Sequence, residues 1–296
     1  MTEFPSPRYL DDTTWDIATM PNWGRAWAPE VAADALDRVD FFASYVAKWR
    51  PLVVRGLCRH WPAIERWRED NYLWDRWGDL EVPADVASHA VRKDRVKMKL
   101  REALREDAPA QYRVASLILS EVGPVVSEIA DNSMATDFGS DRLIDDTPLP
   151  VMYPRQRLFL YRAGITHWHY HPADETITYQ LLGKKRFALV DSRQTKAIVR
   201  AASDNLLPAK EGTDRYPEYA NVMPLCAELD PGDAIYIPPL SWHAVQPPSR
   251  GLGATLAVTW KSRPLAFYRT SPVTNLAMML RVSSRSRQRR RAGAGS

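Results

Sequence analysis

The sequence predicts a mainly β fold, a barrel or a sandwich, with an α-rich N-terminal region packed around it. After Pro148 the chain alternates short β-type runs with Gly and Pro, whereas before Pro148 apolar residues recur at helical spacing. We therefore expect residues 1–147 to form the α-rich region together with the first strands, integral to the barrel. Residues 148–268 are expected to form the β core.

The β core is predicted from seven short runs that are separated by turn residues. They cover residues 157–162, 176–182, 186–191, 225–229, 234–238, 243–246 and 255–260. Many short strands with Gly and Pro between them are typical of β-barrels and sandwiches. The polar segment 192–224 is a long insertion between two of these strands, and insertions of this length often act as lids or substrate-binding loops.

The α-rich region is predicted from apolar spacing. Apolar residues recur every three or four positions over 29–49, which indicates an amphipathic helix. A short buried strand is expected at 51–56, followed by a helix–turn segment with an aromatic face over 61–78. Residues 92–132 are charged and read as helical.

Composition excludes several classes of protein. The 296 residues are 45% hydrophobic and 26% charged, which is the balance of a soluble globular protein rather than a disordered one. No apolar run approaches the roughly 18 residues that a membrane-spanning helix needs, and residues 1–5 lack the features of a secretory signal. Two cysteines, Cys58 and Cys226, cannot form a disulfide scaffold. We expect a cytoplasmic protein that does not contact a membrane.

The basic character of the chain comes from its C-terminal segment. The formal net charge is +4, but residues 281–296 hold six arginines and no acid, so that residues 1–280 have a net charge of −2. We expect a C-terminal helix over 269–280 and a disordered basic tail over 281–296. The tail is either a basic arm for nucleic acid or a solvated terminus, and nucleic-acid binding is expected only through it.

The histidines are unevenly distributed. Three of the six, His167, His169 and His171, fall within five residues. Side chains two positions apart on a strand face the same side, so these imidazoles are expected to project into one cavity. Neutral imidazole nitrogens commonly bind divalent metals. Because a fourth, His243, follows a tight turn and a short strand, the sequence predicts a metal site built from two distant parts of the chain.

A family resemblance rests on the order of four motifs. They are His169-x-His171, Gly183-Lys184-Lys185-Arg186-Phe187, Asp230-Pro-Gly-Asp-Ala-Ile-Tyr-Ile-Pro238 and Trp242-His243. This order resembles the JmjC-type, cupin-like hydroxylases, which are iron(II)- and 2-oxoglutarate-dependent oxygenases on a double-stranded β-helix, or jelly roll. Residues 51–56, followed by Trp61-Pro62-Ala63 and Trp67, are similar to the region that precedes the barrel in that family. The resemblance spans residues 41–260 and implies that the β core is a cupin-like jelly roll.

The resemblance also implies roles for individual residues. His169 and His243 match the two histidine ligands of Fe(II), and His171 stands where the family carries an Asp or Glu. Lys185 matches the lysine that pairs with the distal carboxylate of 2-oxoglutarate, and Thr166 matches a residue that hydrogen-bonds this cosubstrate. A buried cation and a hydroxyl donor suit a doubly anionic ligand.

The histidine at position 171 leaves several alternatives open. His169, His171 and His243 together bind Fe(II), or a nearby carboxylate, Asp174 or Glu175, replaces His171 as the third ligand. The spacing to Glu175 also resembles metal-binding cupins that use three histidines, with or without a glutamate, and do not need 2-oxoglutarate. The remaining alternative is a degenerate site that serves as a binding module.

The resemblance implies a dioxygenase that uses Fe(II) and 2-oxoglutarate to hydroxylate a substrate. Its partner is expected to be a small molecule, a peptide or a protein. A protein or peptide side chain, an amino acid and a natural-product intermediate are the substrate classes that we consider. The chain shows neither a Ser-His-Asp nor a Cys-His arrangement, and no phosphate-binding loop, so hydrolase and kinase functions are not expected.

Overall fold

Strands supply most of the regular structure among the described residues of this chain. The computed structural model describes residues 16–69, 71–86, 95–105, 112–114, 117–118, 132–151, 153–162, 166–171, 174–190, 198, 216–249 and 251–262. The strands in these ranges are β1 (Glu30–Ala32), β2 (Leu52–Arg55), β3 (Glu81–Val86), β4 (Arg95–Lys99), β5 (Tyr112–Val114), β6 (Leu117–Ile118), β7 (Gln156–Tyr161), β8 (Thr166–His169), β9 (Asp174–Leu182), β10 (Lys185–Val190), β11 (Leu225–Leu229), β12 (Ala234–Ile237), β13 (Trp242–Gln246) and β14 (Gly253–Lys261). The prediction of a mainly β fold is therefore confirmed, and each of the seven predicted runs coincides with a strand.

The largest sheet has seven strands in the order β1-β2-β12-β9-β14-β7-β6. Its described pairings are antiparallel except for β1 with β2. A second sheet has four antiparallel strands in the order β11-β10-β13-β8. A small third sheet has the order β4-β3-β5.

The two larger sheets face each other across an apolar cluster. Strand β10 contributes Phe187 and Leu189 to this cluster, and strand β12 contributes Ile235 and Ile237 from the opposite sheet. Because side chains alternate along each strand, the remaining inward positions of the same strands line the rest of the space between the sheets. This arrangement is consistent with the predicted jelly-roll core.

Aromatic side chains cover the outer face of the seven-stranded sheet. The ring of Trp61 lies 4.7 Å from that of Tyr179 on β9, and the ring of Phe41 lies 5.4 Å from that of Tyr236 on β12. All four side chains are buried. The segment before β3 therefore closes the back of the barrel, and the alternate side chains of β9, among them Thr176, Thr178 and Gln180, face inward.

The described residues of the N-terminal part do not form the predicted α-rich region. Its described helices are short: α1 (Arg38–Asp40), continued by a π-helix at Phe41–Val46, α2 (Pro62–Arg66), α3 (Tyr72–Trp77) and α4 (Leu100–Ala103). Short 3₁₀ helices occur at Ile17–Thr19, Ala33–Ala35, Asn132–Asp137 and Pro217–Asn221. The described parts of 92–132 hold strands β4, β5 and β6 and only one helical turn, α4.

Strand pairing explains why the helix predicted over 29–49 begins late. Val31 pairs with Val54 in the parallel register of β1 and β2, so the first part of the segment is extended. The helix starts only at Asp37, whose side chain accepts a hydrogen bond from the backbone N–H of Asp40. Val39, which the spacing placed on the buried face, is 77% exposed.

Several predictions fall outside the described residues. They concern most of the insertion 192–224, the C-terminal helix at 269–280 and the basic tail at 281–296. The described strands all lie in one compact unit that ends at Lys261, and the domain limits at 147 and 268 stay predictions. No helix among the described residues is both long and apolar enough to cross a bilayer.

Candidate metal centre

His169 and His243 come together because their strands are neighbours. In the register of β8 and β13 the two residues lie directly opposite each other. Their ring centroids are 4.0 Å apart. Along β13, Trp242 and Ala244 pack on the outer side of the sheet while His243 and Val245 face inward. The pair of imidazoles therefore points into the space between the two sheets.

An irregularity in β8 places Thr166 on the same face as His169. The register pairs His243 with His169 and Val245 with Thr166, so three steps along β8 match two steps along β13. This is the geometry of a β-bulge, in which one extra residue changes which side chains face inward. Thr166 thus shares the inner face although it lies an odd number of residues from His169. The side chain of His167, which the sequence grouped with the ligands, lies outside the described residues.

His171 follows the end of β8 and supplies a third imidazole. Its ring centroid lies 4.9 Å from that of His243 and 5.5 Å from that of His169. The side chain is buried, and its Nδ1 atom is 2.6 Å from the Oγ1 atom of Thr176 on β9. The sequence analysis did not identify Thr176. The alternation of side chains along β9, which places Thr176 on the inward face, was the available signal.

The three imidazoles form a group of metal-ligand type. One ring nitrogen of each of His169, His171 and His243 lies within 4.8 Å of the others. Burial lowers the pKa of His171 and of His243 well below the usual range, and the charge of nearby histidines and of Arg157 lowers both further. Neutral imidazoles with free nitrogen lone pairs are the form that binds metals.

Hydrogen bonds define which nitrogen of His243 faces the cluster. Its Nδ1 atom lies 3.0 Å from the backbone carbonyl of Ser241, and a carbonyl can only accept a hydrogen bond. The proton of the neutral ring therefore sits on Nδ1, which leaves the Nε2 lone pair available. An outer nitrogen that donates to a backbone carbonyl is a common way to orient a metal-binding histidine.

The alternative carboxylate ligands point elsewhere. Asp174 accepts hydrogen bonds from the backbone N–H groups of Val151 (2.7 Å) and Tyr153 (3.0 Å). Glu175 accepts a 2.6 Å hydrogen bond from the hydroxyl of Tyr236, on the opposite face of β9 from Thr176. Neither carboxylate belongs to the metal-ligand group found among the described residues.

Lys185 lies at the other end of the same interior. Its Nζ atom donates to Oγ1 of Thr255 (3.0 Å) and lies 4.3 Å from the ring centroid of Tyr161. Gln180 joins this group, because its Oε1 accepts from Thr255 and its Nε2 donates to the Tyr161 hydroxyl. Gly183 forms the turn before Lys185 at φ +68°, a conformation that glycine adopts without strain. The ammonium group therefore crosses from one sheet to the other inside the barrel.

Arg157 is a second cation on this inner face, and sequence reasoning missed it. Its guanidinium carbon lies 4.7 Å from the ring centroid of Tyr153 and 5.6 Å from that of Phe159. The Phe159 ring also lies 6.0 Å from Nζ of Lys185, so the same ring contacts both cations. Arg157 precedes Phe159 and Tyr161 at alternate positions of strand β7, and a charged residue on the same face as these aromatic residues was the available signal.

A family model for the cupin-like domain matches residues 38–264. The chain belongs to this cupin-like domain family, and its relatives include JmjC-domain proteins, which confirms the resemblance predicted from the motifs.

Three curated relatives illustrate the range of the family. The chain is 25% identical over 232 residues to Jumonji C domain-containing protein 5 of Drosophila melanogaster, covering 74% of this chain but only 56% of that protein. It is 24% identical over 280 residues to the human bifunctional peptidase and (3S)-lysyl hydroxylase JMJD7, covering 80% and 87% of the two chains. It is 22% identical over 251 residues to tRNA wybutosine-synthesizing protein 5 of Gallus gallus, covering 79% and 78%.

Proposed function

We propose that the protein is an Fe(II)- and 2-oxoglutarate-dependent oxygenase that hydroxylates an organic substrate. The observation that carries the proposal is the placement of three imidazoles and the Lys185 ammonium in one barrel interior. Membership of the cupin-like domain family, with a lysyl hydroxylase among the relatives, supports the same reaction class.

The donor set fits a divalent first-row metal. Imidazole nitrogens suit iron, cobalt, nickel, copper and zinc, and three ligands on one side leave positions for other molecules. The ligands would be His169, His171 and His243, with Nε2 of His243 aimed at the ion. His171 and His243 are buried, which keeps water away from that side of the site and strengthens the electrostatic interactions there.

The inner face also fits a dicarboxylate. Lys185 and Thr255 would bind the distal carboxylate of 2-oxoglutarate, and Thr166 would donate a hydroxyl hydrogen bond nearer the metal. Arg157 adds positive charge between the two ends, since it lies close enough to lower the pKa of His171. When bound, Fe(II) and 2-oxoglutarate supply the activation of dioxygen that hydroxylation needs.

A second candidate function is favoured by His171 itself. A carboxylate ligand is replaced here by a buried neutral imidazole, and the resulting three-histidine set is also the ligand type of metal-dependent cupins that do not use 2-oxoglutarate. In that function the substrate binds the metal directly, and Lys185 contributes only to stability. A degenerate binding module, the third alternative, binds no metal.

An anaerobic titration separates these functions. The protein loaded with Fe(II) is titrated with 2-oxoglutarate, and the visible charge-transfer band of the chelate is recorded. The proposal expects the band in the wild type and a loss of 2-oxoglutarate affinity of about 10-fold or more in Lys185→Ala, because a charged hydrogen bond is removed. Lys184→Ala is the matched control, since the neighbouring ammonium pairs with Asp230 on the surface.

Each outcome assigns one function. If the protein binds metal but gives no charge-transfer band with 2-oxoglutarate, and if Lys185→Ala binds the metal as tightly as the wild type, the cupin that does not use 2-oxoglutarate is supported. Absence of metal binding supports the binding module. Formation of succinate from 2-oxoglutarate, measured in the presence of oxygen, tests the oxygenase reaction itself.

Substrate class and location are further parts of the proposal. The names of the relatives include a lysyl hydroxylase and tRNA wybutosine-synthesizing proteins, and we favour a protein or peptide side chain over an amino acid or a natural-product intermediate.

We propose that the protein is cytoplasmic and that the basic tail at 281–296 is the segment that would contact nucleic acid. Comparing RNA retention by the full chain and by a variant lacking that tail, at several salt concentrations, tests this part.

A further inference from the structure

Thr176 is a polar side chain that contacts His171, the histidine that stands at the carboxylate position of the family motif. It lies near the start of β9, paired with Ile237 on one side and Thr259 on the other. Its side chain is buried, and Oγ1 lies 2.6 Å from Nδ1 of His171. This short contact joins a strand of the larger sheet to a histidine that lies beyond the end of β8.

The backbone of His171 is held separately from its ring. The carbonyl of His171 accepts a hydrogen bond from the backbone N–H of Leu240 (2.8 Å), which ties the segment after β8 to the turn before β13. That contact fixes where the residue lies but not how the imidazole is rotated. The hydrogen bond between Nδ1 of His171 and Oγ1 of Thr176 restrains the ring, because it acts on a ring atom.

The direction of this hydrogen bond decides whether His171 can bind a metal. A hydroxyl both donates and accepts, so Thr176 accommodates either neutral tautomer of the ring. If Nδ1 carries the proton and donates to Oγ1, the Nε2 lone pair is free. If the hydroxyl donates to Nδ1, the proton sits on Nε2 and that nitrogen cannot coordinate. Metal binding through Nε2 therefore requires Thr176 to act as the acceptor.

We propose that Thr176 is the positioning residue that makes His171 a metal ligand through Nε2. Its role matches that of the Ser241 carbonyl, which accepts from Nδ1 of His243 on the other side of the cluster. The inference rests on the metal site of the proposed function and not on the use of 2-oxoglutarate. Groups that orient ligands in this way typically contribute 10- to 100-fold to metal affinity.

Metal titration of matched variants tests the role. Affinities for Co(II) and Zn(II) are measured by competition with a chelator for the wild type, Thr176→Val, Thr176→Ser and Thr178→Val. Thr178 is the matched control, because it is a buried threonine on the same face of the same strand, two residues further on. We expect Thr176→Val to bind about 10- to 100-fold more weakly, Thr176→Ser to bind within about threefold of wild type because it keeps the hydroxyl, and Thr178→Val to be unchanged.

A double-mutant cycle separates positioning from a general structural role. In a His171→Ala background, Thr176→Val should cause no further loss of metal affinity, because the residue on which it acts is absent. The visible ligand-field spectrum of Co(II) in Thr176→Val should shift toward that of His171→Ala. Unfolding of each metal-free variant by urea shows whether the fold is retained, and Thr176→Ala replaces Thr176→Val if the latter does not fold.

Failure of this inference differs from failure of the proposed function. Wild-type affinity in Thr176→Val, an equal loss in Thr178→Val, or additive losses in the double mutant each overturn the role of Thr176. Metal binding without 2-oxoglutarate binding overturns the oxygenase but leaves Thr176 as a positioning residue. A wild-type protein that binds neither Co(II) nor Zn(II) overturns both.

Discussion

His169 and His243 face each other across two adjacent strands with their ring centroids 4.0 Å apart. Two imidazoles this close repel each other when both are protonated, and burial of His243 adds the cost of desolvating a charge. The arrangement thus favours a neutral His243, whose ring nitrogen would gain stabilisation by sharing a cation with His169. A bound metal ion would supply that cation.

The first prediction concerns removal of either of these rings. His169→Ala and His243→Ala should each weaken Co(II) binding by about 100-fold or more, because two remaining nitrogens hold an ion poorly. Isothermal titration calorimetry under anaerobic conditions measures the change. His60→Ala, at an exposed position away from the cluster, is the control and should bind like wild type. Equal affinities in all three variants would place the metal elsewhere.

The second prediction concerns the ligand type at position 171. His171→Asp should raise the affinity for Mn(II) relative to Zn(II) by about tenfold, because a carboxylate oxygen suits manganese better than an imidazole nitrogen does. Competition titrations with the two metals give the ratio. An unchanged ratio, with both affinities retained, would mean that the side chain at 171 does not touch the ion.

The third prediction concerns Glu175. Tyr236→Phe should lower the free energy of unfolding by about 1.5–3 kcal/mol, because it removes a buried hydrogen bond to a carboxyl group. Metal affinity should be unchanged in this variant and in Glu175→Gln. Urea unfolding and metal titration of the same samples check both parts. A large loss of metal affinity in Glu175→Gln would instead support the three-histidine, one-glutamate site.

The fourth prediction concerns alkaline pH. Burial raises the pKa of Tyr161 from 10.0 to about 12 and raises those of Tyr179 and Tyr236 as well. Because the unfolded chain loses these protons first, the contribution of Tyr161 to stability is intact below pH 10.0 and is lost as the pH rises toward about 12. Each such group should lower the free energy of unfolding by about 1.4 kcal/mol per pH unit in that window.

Urea unfolding at several alkaline pH values, with tyrosinate absorbance recorded in parallel, measures this dependence. In Tyr161→Phe the free energy of unfolding should fall less steeply with pH, by the amount that one titrating group contributes, because the phenyl ring does not titrate. A free energy of unfolding that stays constant while tyrosinate forms in the folded protein would contradict the prediction.

The strands after Pro148 were predictable because their signals are local. Alternation and turn residues act within a few positions, and Gly183 and Gly232 both adopt the positive φ expected of such turns. The helix expected over 29–49 was wrong at its start because Val31 pairs with Val54, and a contact across that distance overrides local spacing. The spacing of apolar residues along the chain does not indicate which two strands will pair.

The residues of the site also fall into two groups, those that sequence patterns predicted and those whose contacts depend on strand pairing. His169 and His171 share a short motif, so their proximity could be predicted from strand geometry, and the family resemblance pointed to His243. Thr176 and Arg157 were missed, because their contacts with the cluster arise only when β7 and β9 take their places in the larger sheet. The roles of Lys185 and Thr166 toward 2-oxoglutarate stay predictions.

The bulge in β8 lets a stretch with an odd number of steps present both of its ends to the pocket. Deleting one residue between Thr166 and His169 would leave them two positions apart, where regular alternation also puts both side chains on one side of the sheet. Variants of this protein that are one residue shorter here should therefore keep the threonine hydroxyl and the imidazole in the same pocket. Straightening β8 without removing a residue would instead turn one of the two side chains toward the other side of the sheet.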